Sequence, residues 1–308
     1  ERTMKRRSFV KASGAGMAAA AASGFLGPAG GLFAAGPRAG AFDLVAVKGG
    51  APDALFDAGI AAMGGMGRYV KRGQTVVVKP NIAWDAPPER AANTNPLLVK
   101  RVVEHCFEAG AKRVYVFDYT CDDWRRSYRN SGIEAAAREA GATVAPGDGD
   151  RYFHPVAVGG VSLKRADEHE LILESDVFIN VPVLKNHGSA GLTIAMKNLM
   201  GIIRDRQFWH RNDLHQCIAD FAAYRRPDLN VVDAYNVMMR HGPRGTSTRD
   251  VVRMGSQLIS GDMVTADAAA ARLHGRKAHE VPYIRIAAES GVGRMDLENL
   301  SIERMRLS

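Results

Sequence analysis

The chain has 308 residues, 46% hydrophobic and 24% charged, with three cysteines and a formal charge of +8. That length and apolar content support a substantial core and exclude both a disordered chain and a small disulfide-stapled scaffold. Six basic residues and one acid fall within residues 1–41; the other 35 basic and 32 acidic residues leave +3, which removes most of the case for a nucleic-acid partner.

The first tract speaks to location. Lys5-Arg6-Arg7-Ser8-Phe9-Val10-Lys11 precedes an alanine- and glycine-rich, weakly apolar run from Ala12 to Ala35, with no acid after it until Asp43. This resembles a twin-arginine (Tat) signal peptide over residues 1–41, with Met4 as the start, Arg6 and Arg7 as the export signal and Ala39-Gly40-Ala41 as a cleavage site. Pro28 and the glycines make the run a poor membrane span, so no stable span is expected after cleavage. The expected location is periplasmic, reached in the folded state with the Tat translocase as a transient partner. Folded export raises the expectation of a bound cofactor.

From residue 42 onward the pattern is that of an α/β protein, Rossmann-like, with a mostly parallel sheet flanked by helices and room for two intimate subdomains. A short strand at 43–47 leads to an apolar-periodic helix near 52–66. The β-branched run Thr75-Val76-Val77-Val78-Lys79 is stopped by Pro80, which puts Lys79 and Asn81 at a strand's carboxyl end, where open parallel sheets bind ligands. Asn95-Pro96 reads as a helix start, with the helix over 97–109 ended by Gly110. Residues 113–118 form the next strand, with Asp118 at its carboxyl end, and strand, helix, strand at this spacing is a βαβ unit. Residues 133–140 read as helix, 142–145 as extended chain and 156–163 as a strand or hairpin. Asp148-Gly149-Asp150 marks a loop.

Residues 177–206 concentrate the chemistry. A buried-strand pattern passes into a polar, glycine-bearing turn with Lys185, Asn186 and His187, then a helix-like segment with Lys197 and Asn198. Lys185 reads as a lysine between apolar residues at a strand's end, which is costly unless it points at something. Free amides at the following helix start would add to its preference for a carboxylate or phosphate. A bland alternative is a strand–turn–helix connection whose charges simply reach solvent.

A helix over 212–224 places His215 one turn from Ala219, with Asp220 beside it. His210 and His215 are five apart, a poor metal pair, and no HExxH-like spacing occurs. Residues 229–233 read as a strand ending in Asp233, and the following loop, 238–245, carries Arg240, His241 and Arg244 among glycines, suited to gripping an anion. Strand-like 258–262, helices over 265–273 and 281–289, and an edge strand at 300–307 complete the chain. Cys106, Cys121 and Cys217 are widely spaced; one disulfide could form among them, but they cannot supply a four-cysteine iron–sulfur site.

Several landmarks together resemble the domain-of-unknown-function family numbered 362, over essentially all of 42–307. They are Val78-Lys79-Pro80-Asn81, Glu108-Ala109-Gly110-Ala111, Phe117-Asp118, Lys185 with Lys197-Asn198-Leu199-Met200-Gly201, His215 with Ile218-Ala219-Asp220, and Val232-Asp233 with Gly242-Pro243 and Gly245. Many members carry ferredoxin-like cysteine clusters, which this sequence lacks. His187-Gly188-Ser189-Ala190-Gly191, with Lys197 and Gly201, is also distantly similar to lactate-racemase-type nickel-pincer enzymes. That similarity implies a site histidine at His187 and a nucleotide-cofactor anchor at Lys197. The Gly-Gly-Arg that precedes that family's lysine is Ile194-Ala195-Met196 here.

The expected function is binding of a small anionic substrate or cofactor in a Lys/His/Arg-lined cleft, leaning toward an enzyme of unassigned reaction. Lys79, Asn81, Lys185, Asn198, Gly201, His215 and Arg244 are the binding candidates. His187, His241, Lys197, Asp118 and Asp233 are the catalytic ones, with His187 or His241 shuttling a proton near neutral pH and Asp118 or Asp233 orienting a histidine or holding a metal. A metal or a phosphorylated cofactor is compatible with this set. The competing classes are a non-catalytic exported binding or cofactor-carrying protein, and a redox or electron-transfer partner.

Overall fold

Alternation along the strands decides the layering. Val76, Val78, Val177, Ile179, Val231 and Ile259 pack into one apolar cluster, whereas Val77, Phe178, Val232 and Leu258 pack into another. Successive side chains on a strand face opposite ways, so the sheet has a core on each face. The computed structural model describes residues 42–308. The signal expectation over 1–41, including Arg6, Arg7 and the cleavage site, lies outside the described residues.

The first half of the chain comprises β1 (Leu44–Lys48), α1 (Pro52–Ala62), β2 (Thr75–Pro80), α2 (Pro96–Glu108), β3 (Arg113–Val116), α3 (Trp124–Asn130), α4 (Ile133–Glu139), β4 (Thr143–Val144), β5 (Phe153–Ala157), β6 (Arg165–His169) and α5 (Glu170–Glu174). The second half comprises β7 (Val177–Val181), β8 (Val183–His187), β9 (Gly191–Thr193), α6 (Ala195–Asn198), α7 (Arg206–Arg211), α8 (Leu214–Tyr224), β10 (Leu229–Met238), β11 (Val251–Ser260), α9 (Met263–Leu273), α10 (Pro282–Glu289) and β12 (Ile302–Arg306).

The main sheet runs β12-β1-β11-β10-β7-β2-β3-β4, with β8 and β9 attached through β10. Pairs β1–β12, β10–β7, β10–β8, β2–β7, β2–β3 and β3–β4 are parallel; β1–β11, β10–β11 and β8–β9 are antiparallel. The fold is α/β with a mostly parallel sheet between helical layers. Helices α1, α2 and α4 contribute to one core, and α8, α9 and α10 to the other. Local chemistry sets the helix starts: the Asn95 side chain accepts the Leu97 amide ahead of Pro96, and Asp262 accepts the amides of Val264 and Thr265.

Of the two alternatives for residues 156–163, strand or hairpin, the hairpin holds: β5 pairs antiparallel with β6, and most of those residues form the turn between them. Three expectations need correction. The strand expected to end at Asp233 continues to Met238, because β11 pairs along its whole length despite the polar Asp233-Ala234-Tyr235-Asn236 and a bulge between Ala234 and Asn236. The strand expected at 258–262 is ten residues long and starts at Val251. The segment after Lys185 is an antiparallel β8–β9 hairpin followed by a four-residue helix, so Lys185 lies within a strand rather than at its end. Among the described residues, no helix is long and apolar enough to cross a membrane.

Candidate functional site

The carboxyl ends of β2 and β3 meet β8 and α6 around a cleft of about 370 Å³, within the range of small-molecule sites. Lys79, the penultimate residue of β2, has all three ammonium protons placed. It donates to Asn198 O (2.7 Å) and Asn198 Oδ1 (2.9 Å), and pairs with Asp118 Oδ1 at 2.9 Å. The other carboxylate oxygen, Asp118 Oδ2, accepts the Ile82 amide at 2.6 Å. Burial pushes Lys79 down and Asp118 up, and their mutual attraction opposes both shifts.

Asparagines extend the network sideways. Asn81 Nδ2 donates to Asn198 Oδ1 (2.9 Å), Asn198 Nδ2 donates to Asn180 Oδ1 (2.9 Å), and Lys185 Nζ donates to Asn81 Oδ1 (3.1 Å) and to Ala92 O. Desolvation brings the Lys185 ammonium down to about 7. Gly201 is required by close approach: a Cβ there would lie 1.8 Å from Asp118 Oδ1 and 2.5 Å from Lys79 Nζ. Its carbonyl accepts the Tyr119 amide at 2.8 Å, tying the α6 region to the β3 end.

Lys197 differs from its neighbours. It lines the cleft, is 9% exposed, and its ammonium makes no hydrogen bond or ion pair with a described residue. Burial, with nearby Arg206 and Lys79, pushes it down to about 8. The hydroxyl of Thr193, also in the wall, is buried and has no partner among the described residues. The expected free helix-start amides are not free: Asp267 of α9 accepts those of Ala195 (2.7 Å) and Met196 (3.1 Å). The consequence is a rigid seat for Lys197, with those two amides already occupied.

His187 is buried beside these cations. Its Nδ1 faces the Ala190 amide (3.2 Å), and because an amide can only donate, Nδ1 is an acceptor and the neutral ring carries its proton on Nε2. Burial, then Lys197 and Lys185, hold it down to about 2. The expected proton shuttle at neutral pH does not fit this ring; it is a fixed donor. His210 adds a parallel ring 6.5 Å away.

The other expected residues lie elsewhere. His215 packs 6.2 Å from the Tyr283 ring and does not line the cleft; neighbouring Asp220 accepts the amides of Ser162 and Leu163 at the β5–β6 turn. Asp233 is buried inside β10, accepts the amides of Asn95 (2.8 Å) and Tyr235 (3.0 Å), and is pushed up by burial to about 6. It neither reaches a histidine nor faces the cleft. His241, 62% exposed, pairs with Asp250 at 2.9 Å, and Arg244, 61% exposed, lies 3.5 Å from Asp122 and 6.0 Å from the Trp84 ring centre. From that loop it is Pro243 that enters the wall, and Arg240 and Arg244 do not line the cleft.

Sequence reasoning missed Arg206, Cys121 and Thr193. Arg206 opens α7, donates to Tyr119 O (2.8 Å), Thr120 O (2.6 Å) and Cys121 Sγ (3.3 Å), and stacks on the Tyr119 ring. A polar residue at a helix start after a buried run was the one signal available. The three cysteines are free, so the possible disulfide is absent. Among the described residues, no three His, Cys, Asp or Glu side chains converge to hold a metal, so the donor set does not fit a protein-held ion.

The family described as Domain of unknown function (DUF362) matches residues 76–272. The chain belongs to this family. A thylakoid-associated protein of Synechocystis sp. is 27% identical over 197 residues, which are 61% of this chain and 60% of that protein; the chain thus spans about three fifths of the curated relative it matches. Among solved structures, the lactate racemase apoprotein from Thermoanaerobacterium thermosaccharolyticum is similar at 10% identity and a TM-score of 0.49, covering 74% of this chain and 56% of that one. A Thermotoga maritima protein follows at 11% identity and 0.43, covering 72% and 56%.

Proposed function

We propose that this member of the DUF362 family binds a small anion, a carboxylate or phosphate group on a substrate or cofactor, in the cleft between the β2 and β3 ends and α6. The observation that carries this reading is the charge imbalance: among the described residues, Lys79, Lys185, Lys197 and Arg206 line the cleft against the one carboxylate of Asp118, and the Lys197 ammonium has no partner. An unpaired buried ammonium is unfavourable, and an entering anion relieves it. A phosphorylated cofactor fits the same set, with Lys197 and Lys185 holding its phosphate and the Thr193 hydroxyl and His187 Nε2–H donating. Lys185, near 7, is the group suited to exchange a proton at neutral pH, which favours an enzyme over a passive carrier. Titrating sulfate, phosphate and dicarboxylates into the chain by calorimetry tests the reading, and absence of heat with all three would end it.

We further propose export by the twin-arginine route to the periplasm, supported by the Arg6-Arg7 pair ahead of a weakly apolar run. Fractionating cells that express the chain with Arg6→Lys and Arg7→Lys together tests this. Retention in the cytoplasm is expected, and undiminished export would contradict it.

A further inference from the structure

We propose that Lys197 is a nucleophile that forms an imine with a carbonyl compound carrying an anionic group, such as a phosphorylated aldehyde or a 2-oxo acid. The inference rests on the anion-binding reading and goes beyond it by naming a covalent step. Three buried lysines line the cleft, and geometry separates them. The protons of Lys79 are committed to Asn198 and Asp118, and Lys185 is engaged by Asn81 and the Ala92 carbonyl. Lys197 is free of such ties among the described residues.

A desolvated lysine beside other cations is the arrangement that exposes an amine lone pair at neutral pH. Lowered to about 8, Lys197 has roughly a tenth of its amine as free base at pH 7, against well under a hundredth for an ordinary lysine. Lys185 and Arg206 remain to hold the anionic group while the carbonyl carbon faces Nζ. The step balances without an added reactant. The Nζ lone pair forms the C–N bond as the carbonyl π pair moves to oxygen; protons leaving nitrogen pass to that oxygen, which departs as water as the C=N bond forms. Thr193 supplies a buried hydroxyl, without a partner among the described residues, to hydrogen-bond the carbonyl oxygen.

The test uses the chain with pyridoxal 5′-phosphate as probe, borohydride reduction and peptide mass mapping, alongside calorimetric titration of sulfate. The expected result is a reduced adduct at Lys197, at about tenfold greater occupancy than at Lys185 or exposed Lys164 and Lys277, suppressed by excess sulfate. If sulfate binds but Lys197 is labelled no more than the exposed lysines, the imine proposal is overturned and the anion reading stands. If sulfate does not bind and no adduct forms at Lys197, both fall.

Discussion

Lys79 and Asp118 meet at 2.9 Å with each side chain 1% exposed, a buried ion pair joining the ends of two adjacent parallel strands. Removing one partner leaves an uncompensated buried charge. Lys79→Met or Asp118→Leu alone should destabilise the fold by about 3–5 kcal/mol, while the double substitution should recover most of the loss. Denaturant melts of the three variants check this.

Gly201 faces the same pair, and a methyl group there would collide with both charged atoms. Gly201→Ala should force Lys79 and Asp118 apart and weaken sulfate binding by about tenfold or more, in line with loss of a charged hydrogen-bonded contact. Calorimetry on the variant, with circular dichroism to confirm the fold, reads the outcome.

Much of this pair was legible beforehand, since a charge at the end of a β-branched run in a parallel sheet points toward a ligand site; Lys79, Asn81, Asp118 and Lys185 all line the cleft. What misled was length. Nothing in Asp233-Ala234-Tyr235-Asn236 announces that β10 keeps pairing with β11 to Met238, and His241 and Arg244, in the loop that follows, do not line the cleft. Arg206 opens a six-residue helix, Cys121 sits in a loop and Thr193 in a three-residue hairpin strand, all too short for periodicity to mark which way a side chain points. The capping role of Asp267 was written as a lone acid in an alanine-rich helix, a pattern that needed the neighbouring α6 to interpret.

Asp267 is the support beneath Lys197. Its two amide bonds hold α6, and burial pushes its carboxyl up to about 8. Asp267→Ala leaves those amides unsatisfied and should cost about 1–3 kcal/mol. Sulfate affinity should fall with it, although Asp267 does not line the cleft. A thermal melt and a sulfate titration on the same sample separate the two effects.

The pH dependence has a definite sign. Lys185 and Lys197 are lowered to about 7 and 8 in the folded state from an ordinary 10.5, so between those values and 10.5 the unfolded chain binds more protons. Their contribution to stability therefore rises with pH across about 7 to 10.5. The proposed anion binding runs the other way, because it needs the ammonium forms. Sulfate, whose own charge is constant there, should bind progressively more weakly as pH rises through 7 to 8 and beyond, and calorimetry at stepped pH values measures the trend.

His241, exposed and paired with the buried Asp250, provides a contrast: His241→Ala should leave sulfate affinity unchanged within about twofold, because neither residue lines the cleft.

The most direct measurement is a calorimetric titration of sulfate into the wild-type chain and into Lys197→Met at pH 7. The account predicts saturable binding to the wild type and about tenfold or weaker binding to the variant, with the variant's melting temperature held or raised because an unpaired buried charge has gone. Equal affinity in the two proteins, or no binding to the wild type, would contradict it.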